Sequence, residues 1–165
     1  MILETKEAFE SAILRGEEIK HKTVFYTGEL ENQEMPLWNI GSYDARYGIY
    51  AGMCGNKQIW VALHDAPEEM NWEEAKKYCE DLDADCDGWH LPTKEELMLI
   101  FANKDIINQA LIEHGGEPMK EDWYWSSSEY SYYSAWGQSF SDGYVSHYSK
   151  TFYSGYVRPV LALSI

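Results

Sequence analysis

The sequence contains few cysteines and no spacing that would place them around a metal. Only Cys54, Cys79 and Cys86 occur in 165 residues, and no C-x-x-C pair of the kind that binds zinc is present. The five histidines show no HxH or HxxxH spacing, so the sequence predicts no metal site and no cofactor. Two alternatives remain for the thiols: one disulfide with a free cysteine, or three reduced thiols, and a cytoplasmic product favours the second.

Positive charge is also scarce. The chain has 13 Lys and Arg against 28 Asp and Glu, which gives a formal net charge of −15. Phosphate backbones and anionic lipid surfaces repel a protein of this sign. The charge therefore predicts that the protein binds neither nucleic acid nor a membrane surface.

Long apolar runs are missing as well. Residues 1–20 mix acidic and apolar side chains, so the sequence predicts neither a signal peptide nor a transmembrane helix. We expect synthesis in a cytoplasm, with virion association or cell-surface display reached by another route. With 165 residues and 45% hydrophobic content, the chain is expected to form a single domain over residues 1–165.

What the chain has in abundance is Tyr, Ser and Gly near its C-terminal end. Between Tyr130 and Tyr156 the only charged residues are Asp142 and Lys150. Tyr gives a large contact with few torsions to freeze, while Ser and Gly give adaptable hydrogen bonds, so this composition is typical of binding surfaces. Similar tracts can be disordered. Here the turn signal at 141–143 lies between two strand-like runs, which favours an ordered tract.

Apolar residues recur through the same stretch at positions that predict a supporting core. We predict that Trp125, Trp136, Phe140 and Val157 are buried anchors. The tyrosines between them would then mostly share one exposed face, which would mark an interaction site. These are Tyr132, Tyr133, Tyr144, Tyr148, Tyr153 and Tyr156.

Helix and strand signals together favour an α+β fold. Asn71 and Thr93 are N-cap candidates, and the helices predicted after them span 71–82 and 93–102. A third, short helix is predicted at 105–114, ended by Gly115. Further helical spacing surrounds Ala8 to Ile13, and strands are predicted at 23–27, 48–52, 58–63 and through most of the chain after residue 123. Two helices on small antiparallel sheets are expected, with the first and last strands close together.

Several short motifs follow one another in a recognisable order. Residues 88–97 read G-W-H-L-P-T-K-E-E-L, residues 124–130 read Y-W-S-S-S-E-Y, and residues 157–160 read V-R-P-V. Over residues 70–163 the series resembles a bacterial domain family with G-W-R-L-P-T-x-E-E-L, W-S-S-S-E and V-R-P-V motifs. His90 stands where that family commonly has Arg. The family resembles a branch of the C-type lectin fold related to the formylglycine-generating fold, and this resemblance implies a C-type lectin-like architecture.

Part of that family resembles the variable proteins of diversity-generating retroelements, in which template adenines are mutated. Changes in the first two bases of AAC or AAT codons reach Tyr, Ser, Gly, Phe, His and Asp but no stop codon. The resemblance implies a non-enzymatic protein whose hypervariable surface, within residues 123–160, binds a protein or glycan ligand; its oligomeric state stays open. The predicted ligand-binding residues are Tyr130, Tyr132, Tyr133, Ser134, Gly137, Ser139, Ser141, Tyr144, Ser146, Tyr148, Phe152, Tyr153, Ser154, Gly155 and Tyr156.

The alternative is an enzyme or a fixed-specificity sugar-binding module of the same fold. Formylglycine-generating enzymes depend on cysteines in the C-terminal half, and no cysteine follows Cys86. Residues 126–128 are serines without the GxSxG context of a nucleophile, and we expect them to cap a strand or turn beside Trp125. No catalytic residue is therefore predicted.

The sequence predicts no calcium site and a structural role for the single arginine of the C-terminal region. Residues 83–88 resemble the start of an EF-hand loop, but Lys94 stands where a bidentate Glu is needed, so a solvated acidic turn is favoured. Beyond Trp125 the only carboxylates are Glu129 and Asp142, too few for a calcium-dependent sugar site. Arg158 is expected to be buried beside a carboxylate or carbonyl partner.

Overall fold

The chain folds as α+β, in a computed structural model that describes residues 38–82 and 88–164. These residues belong to one compact unit, Leu37–Ile165. The helix and strand predicted near residues 8–13 and 23–27 lie outside the described residues, so a single domain over 1–165 stays a prediction. The described elements are helices α1 (Trp72–Glu80), α2 (Lys94–Ala102) and α3 (Lys104–Glu113), and strands β1 (Tyr43–Asp44), β2 (Gly48–Cys54), β3 (Lys57–Val61), β4 (Trp89–His90), β5 (Trp123–Glu129), β6 (Ser134–Ser139), β7 (Val145–Ser149) and β8 (Val160–Ser164).

Helices α1 and α2 begin at the predicted caps. The side chain of Asn71 accepts a hydrogen bond from the Glu74 backbone N–H, and the Glu74 carboxylate accepts one from the Asn71 N–H. Thr93 and Glu96 form the same reciprocal pair at the start of α2. Each box satisfies two backbone donors that a helix otherwise leaves free at its N-terminus. The predicted short third helix is confirmed as α3, so the described residues hold three helices rather than two main ones.

A five-stranded antiparallel sheet, in the order β1-β2-β3-β8-β4, forms the base of the fold. Side chains of successive strand residues point to opposite faces. One face therefore joins Ile59 and Val160 to Leu97 of α2 and Ile107 of α3 in the largest apolar core. The other face carries Trp60 with Tyr50 and Leu161. The C-terminal strand β8 lies between β3 and β4, while the predicted strand at 23–27 is outside the described residues.

A second, three-stranded antiparallel sheet in the order β5-β6-β7 carries the Tyr/Ser/Gly-rich stretch. The predicted turn at 141–143 connects β6 and β7. Gly143 has φ of +80°, and a Cβ there would lie 2.4 Å from a ring carbon of Phe101 in α2. Only glycine fits that conformation and that contact, so the turn packs directly on α2.

Arg158 is fully buried, and the prediction that it pairs with a carboxylate and carbonyls is confirmed. Its Nε lies 2.6 Å from Asp65 Oδ1, and its two terminal nitrogens donate to the carbonyls of Ala62 and Glu117, each at 3.0 Å. Asp65 and Arg158 are 93 residues apart in sequence. The interaction fixes the segment before β8 to the segments that follow β3 and α3.

Candidate ligand-binding surface

Strand pairing places two loops side by side at one end of the β5-β6-β7 sheet. Ser134 at the start of β6 pairs with Ser149 at the end of β7, and the Lys150 N–H donates to the Tyr133 carbonyl at 3.0 Å. The loop after β5, residues 130–133, therefore adjoins the loop after β7, residues 150–154. We call these two loops the tip.

The tip holds the most exposed aromatic side chains of the tract. Phe152 is 94% exposed, Tyr132 83% and Tyr133 78%, and more than half of Tyr130 also faces solvent. Tyr132 and Tyr133 meet edge to face, with ring centroids 4.9 Å apart. Exposed apolar side chains gathered in this way are typical of interaction sites.

On one face of the sheet, aromatic rings pack from the strands toward the tip. Tyr148 and Tyr153 stack with centroids 4.4 Å apart, and Trp123 and Trp125 contact them edge-on. Trp125 also donates from Nε1 to the Met70 carbonyl at 3.0 Å. Tyr148 and Tyr153 are half-buried as a result. They pack beneath the tip and add little to its exposed surface.

The opposite face carries the His147 cluster, which we define as Tyr130, Trp136, His147 and Lys94. The rings of Tyr130 and His147 are stacked at 3.6 Å and 5°, and both meet Trp136 edge-on. The Lys94 ammonium lies 4.1 Å from the centre of the Trp136 ring, a cation–π contact. Trp136 is thus only half-buried, and the prediction of a buried anchor is wrong for this residue.

Trp125, Phe140 and Val157 are buried as predicted, whereas the prediction of one shared tyrosine face is wrong. Tyr144 is exposed but follows the β6–β7 turn, at the other end of a six-residue strand from the tip. At roughly 3.4 Å per residue, that separation is about 20 Å. Tyr156 packs against the core beside Tyr124, with centroids 5.7 Å apart.

The fifteen residues predicted to bind ligand therefore fall into several places. Gly137, Ser139 and Gly155 are buried, and a Cβ at Gly137 would lie 3.0 Å from the Tyr124 carbonyl oxygen. Ser139 and Ser141 lie with Tyr144 at the far end, and Ser146 and Tyr148 lie along β7. Tyr156 lies against the core, as described above. The structure brings the other seven together at or beside the tip: Tyr130, Tyr132, Tyr133, Ser134, Phe152, Tyr153 and Ser154.

Two residues at this end of the sheet were missed by the sequence analysis. His147 is exposed and stacks on Tyr130, and the codon argument already includes histidine among the residues that adenine mutation reaches. That signal could have added His147 to the predicted set. Lys94 reaches the cluster from the first turn of α2, which no local pattern in the tract indicates.

Ser126 and Cys79 have surroundings that fit a structural role and not a nucleophilic one. Ser126 donates from Oγ to the Trp136 carbonyl at 2.7 Å and accepts from the Ser128 N–H, which agrees with the predicted role beside Trp125. Cys54 and Cys79 are free, and Cys86 lies outside the described residues. Burial raises the pKa of Cys79 to about 12, so its thiol stays protonated at neutral pH and is a poor nucleophile.

Within residues 38–82 and 88–164, no group of three His, Cys, Asp or Glu side chains could hold a metal ion. The EF-hand-like stretch falls almost entirely in the gap between these ranges. In the part of the chain that the structure describes, no helix has the length and apolar character needed to cross a membrane.

His90 pairs with Glu96 of the capping box at the start of α2. Its Nε2 lies 3.0 Å from Glu96 Oε2, and its Nδ1 lies 2.9 Å from the Gly88 carbonyl, so both ring nitrogens face acceptors. Burial disfavours the charged ring, but these hydrogen bonds outweigh it and raise the pKa of His90 above its usual 6.5. For Glu96 burial opposes ionisation, yet its bonds to His90 and Thr93 lower its pKa below 4.5.

We predict a stability maximum between these two ordinary pKa values. The His90 contribution is complete below 6.5 and is lost as the pH rises through the raised folded pKa. The Glu96 contribution is present above 4.5 and is lost as the pH falls through the lowered folded pKa. Thermal unfolding midpoints between about pH 5 and pH 8 should fall toward the alkaline end in the wild type.

A His90→Arg variant is the control, because arginine keeps its charge throughout this range. The alkaline loss should disappear in that variant. The same alkaline decline in both proteins would show that another group causes it.

Comparison with known proteins agrees with this geometry. The family model of the Lcl C-terminal domain matches residues 52–161, which is 110 of the 165 residues. Of the eight described strands, the match omits β1, the first part of β2 and the last part of β8. None of the curated proteins compared with the chain matches it. The chain therefore belongs to the Lcl C-terminal domain family, a C-type lectin-fold domain of diversity-generating retroelement variable proteins.

Proposed function

We propose that the protein is a non-enzymatic binding protein that recognises its ligand with the tip. The observation that carries the proposal is the exposure of four aromatic side chains, Tyr130, Tyr132, Tyr133 and Phe152, from two adjacent loops of one sheet. Aromatic side chains lose little conformational entropy on binding and dominate interface energetics. The sheet beneath them is packed on α1 and α2, which gives the loops a rigid base.

The ligand class we favour is protein. The tip residues project into solvent, as the exposure of Phe152 and Tyr132 indicates, and projecting rings insert into a pocket on a partner. Two shallow hollows among the described residues lie elsewhere, beside α1 and at the turn from α2 to α3. With a net charge of −15, the chain would approach a partner with a basic surface fastest.

The residues of the tip support diversification by a retroelement. Every exposed aromatic position there holds Tyr or Phe, which adenine mutation of an AAC or AAT codon reaches. Surface positions tolerate such changes because substitutions at exposed sites usually alter stability by less than about 0.5 kcal/mol. Such a binding surface would act outside the cytoplasm, on a virion or a cell surface.

Binding can be tested without a known ligand by selecting a phage-displayed library of random peptides on the immobilised protein. A Tyr132→Ser/Tyr133→Ser/Phe152→Ser variant should weaken the selected peptides about thirtyfold or more, since an aromatic hot spot contributes roughly 2 kcal/mol. Tyr144→Ser, an exposed tyrosine at the far end, is the matched control and should change Kd less than about twofold.

Equal losses in both variants would place binding outside the tip. A glycan array probed with the same proteins tests the alternative: glycan binding that depends on the tip, with no peptide selected, would indicate a sugar-binding module. Turnover of a substrate by this domain would contradict the non-enzymatic proposal.

The retroelement proposal has a separate genomic test. We expect the DNA next to the coding sequence to contain a reverse transcriptase gene and an imperfect repeat of the segment that encodes the tip. Mismatches between the two copies should fall at template adenines and map to the tip codons. A repeat that is absent, or one with mismatches at other bases, would contradict diversification.

A further inference from the structure

Lys150 is the only lysine or arginine of the stretch between Tyr130 and Tyr156, and it lies inside the tip. Its ammonium lies 2.7 Å from Glu129 Oε2 and donates to the Tyr132 carbonyl at 3.1 Å. Its backbone N–H donates to the Tyr133 carbonyl at 3.0 Å. The side chain is only 12% exposed, which is low for a lysine among such exposed neighbours.

The same residue connects the tip to helix α1. The Lys150 carbonyl accepts a hydrogen bond from the Trp72 N–H at 3.1 Å, and its ammonium lies 4.4 Å from the centre of the Trp72 ring. Trp72 is buried, and its Nε1 donates to the Ser126 carbonyl at 2.8 Å. Lys150 thus connects the first tip loop, the second tip loop and the first residue of α1.

The contacts from Lys150 to residues 132 and 133 end on backbone carbonyls. A backbone carbonyl is present whichever side chain the residue carries, so these bonds survive Tyr-to-Ser or Tyr-to-Gly changes. The other partners are Glu129 and Trp72, and codons that end in C or T never encode Lys, Glu or Trp. The side chains in these contacts therefore belong to residues that adenine mutation of AAC or AAT codons cannot produce.

We propose that Lys150 is a positioning residue that holds the first tip loop in one conformation whatever side chains its exposed positions carry. The inference rests on the proposed function, because a loop needs such a support only if its side chains vary. The ion pair with Glu129 contributes to this support: the hydrogen bond from Lys150 and its positive charge hold the pKa of Glu129 below its usual value. Because Glu129 is exposed, the carbonyl bonds and the Trp72 contact carry the larger share.

Amide hydrogen exchange read by NMR tests the inference without any ligand. The N–H groups of Tyr130 and Ser131 both donate to the Ser134 carbonyl at 3.0 Å, so their exchange rates report whether the loop is closed. Lys150→Met keeps an aliphatic stem of similar length but removes the ammonium, and it should speed exchange at these two amides about tenfold or more. Lys150→Arg should restore protection to within about threefold of the wild type.

The matched comparison is a Tyr132→Ser/Tyr133→Ser variant, which changes the loop side chains and leaves Lys150 in place. Its exchange rates at residues 130 and 131 should stay within about threefold of the wild type. If this variant loosens the loop as much as Lys150→Met does, the loop is held by its own side chains and the inference fails. Loss of protection in β3 and β8 of Lys150→Met would show a role in the whole fold, which would also overturn it.

These outcomes are independent of peptide binding. If the loop stays ordered in the double serine variant and the wild-type protein selects no peptide, only the proposed function is contradicted. A tip that binds peptides while Lys150→Met leaves its exchange unchanged would contradict the positioning role alone.

Discussion

An Asp65→Ala variant should lose about 3–5 kcal/mol of its free energy of unfolding, because it leaves a buried guanidinium without its carboxylate. Asp65 Oδ1 lies 2.6 Å from Arg158 Nε, and neither side chain is exposed. Its Oδ2 accepts hydrogen bonds from the Tyr124 hydroxyl and the Lys120 ammonium, each at 2.9 Å. One substitution thus removes the acceptor of three donors. A loss of that size is a large part of the total stability of a small domain.

The matched control is Asp81→Ala, which removes an aspartate from an exposed ion pair with Lys77. Exposed pairs contribute about 0–1 kcal/mol, since water screens them and long side chains lose entropy in forming them. Urea titrations of the two variants and the wild type, followed by tryptophan fluorescence, measure the difference. Similar midpoints for Asp65→Ala and Asp81→Ala would show that the buried network contributes little.

A Trp125→Ala variant should be destabilised by about 3–5 kcal/mol, because its neighbours cannot close the space that the indole leaves. Trp125 is 1% exposed, and a Cβ on Gly155 would lie 3.3 Å from its ring. Its Nε1 donates to the Met70 carbonyl, which the variant leaves without that partner. The Tyr153 ring, packed edge-on at 5.5 Å, loses its support on the same side.

Trp136→Ala is the comparison, because the sequence pattern predicts a buried anchor at both tryptophans. Trp136 is half-buried in the His147 cluster, so its loss should cost clearly less than that of Trp125. Thermal and urea unfolding of both variants measure the difference. Equal destabilisation would mean that Trp136 supports the core after all, and an unaffected Trp125→Ala would contradict the cavity argument.

Helix boundaries show how much local sequence predicted. The caps at Asn71 and Thr93 were identified from residue type and from the Glu three positions later, and both capping boxes are formed. These interactions join residues within one turn, so a local pattern contains all the partners. The same holds for the turn at 141–143, where Gly143 supplies the positive φ.

The assignment of Trp136 failed because strand side chains alternate between two faces. Trp136 pairs with His147 on one face, and Tyr148 pairs with Ala135 on the other. Composition counts tyrosines but does not indicate which face each one occupies. Nor does it indicate which end of the sheet a residue is on, and this separates Tyr144 from Tyr132.

The sequence by itself determined the α+β class, the ordered Tyr/Ser/Gly-rich stretch and the need of a buried Arg158 for a carboxylate or carbonyl partner. These follow from local pattern, composition and the cost of an unpaired buried charge. The tertiary structure decided which partner Arg158 meets, 93 residues away, and which aromatic residues gather at the tip. It also decided that Lys150 points back to Trp72 and the loop carbonyls. Such contacts depend on strand register and packing between distant segments, which a single sequence does not record.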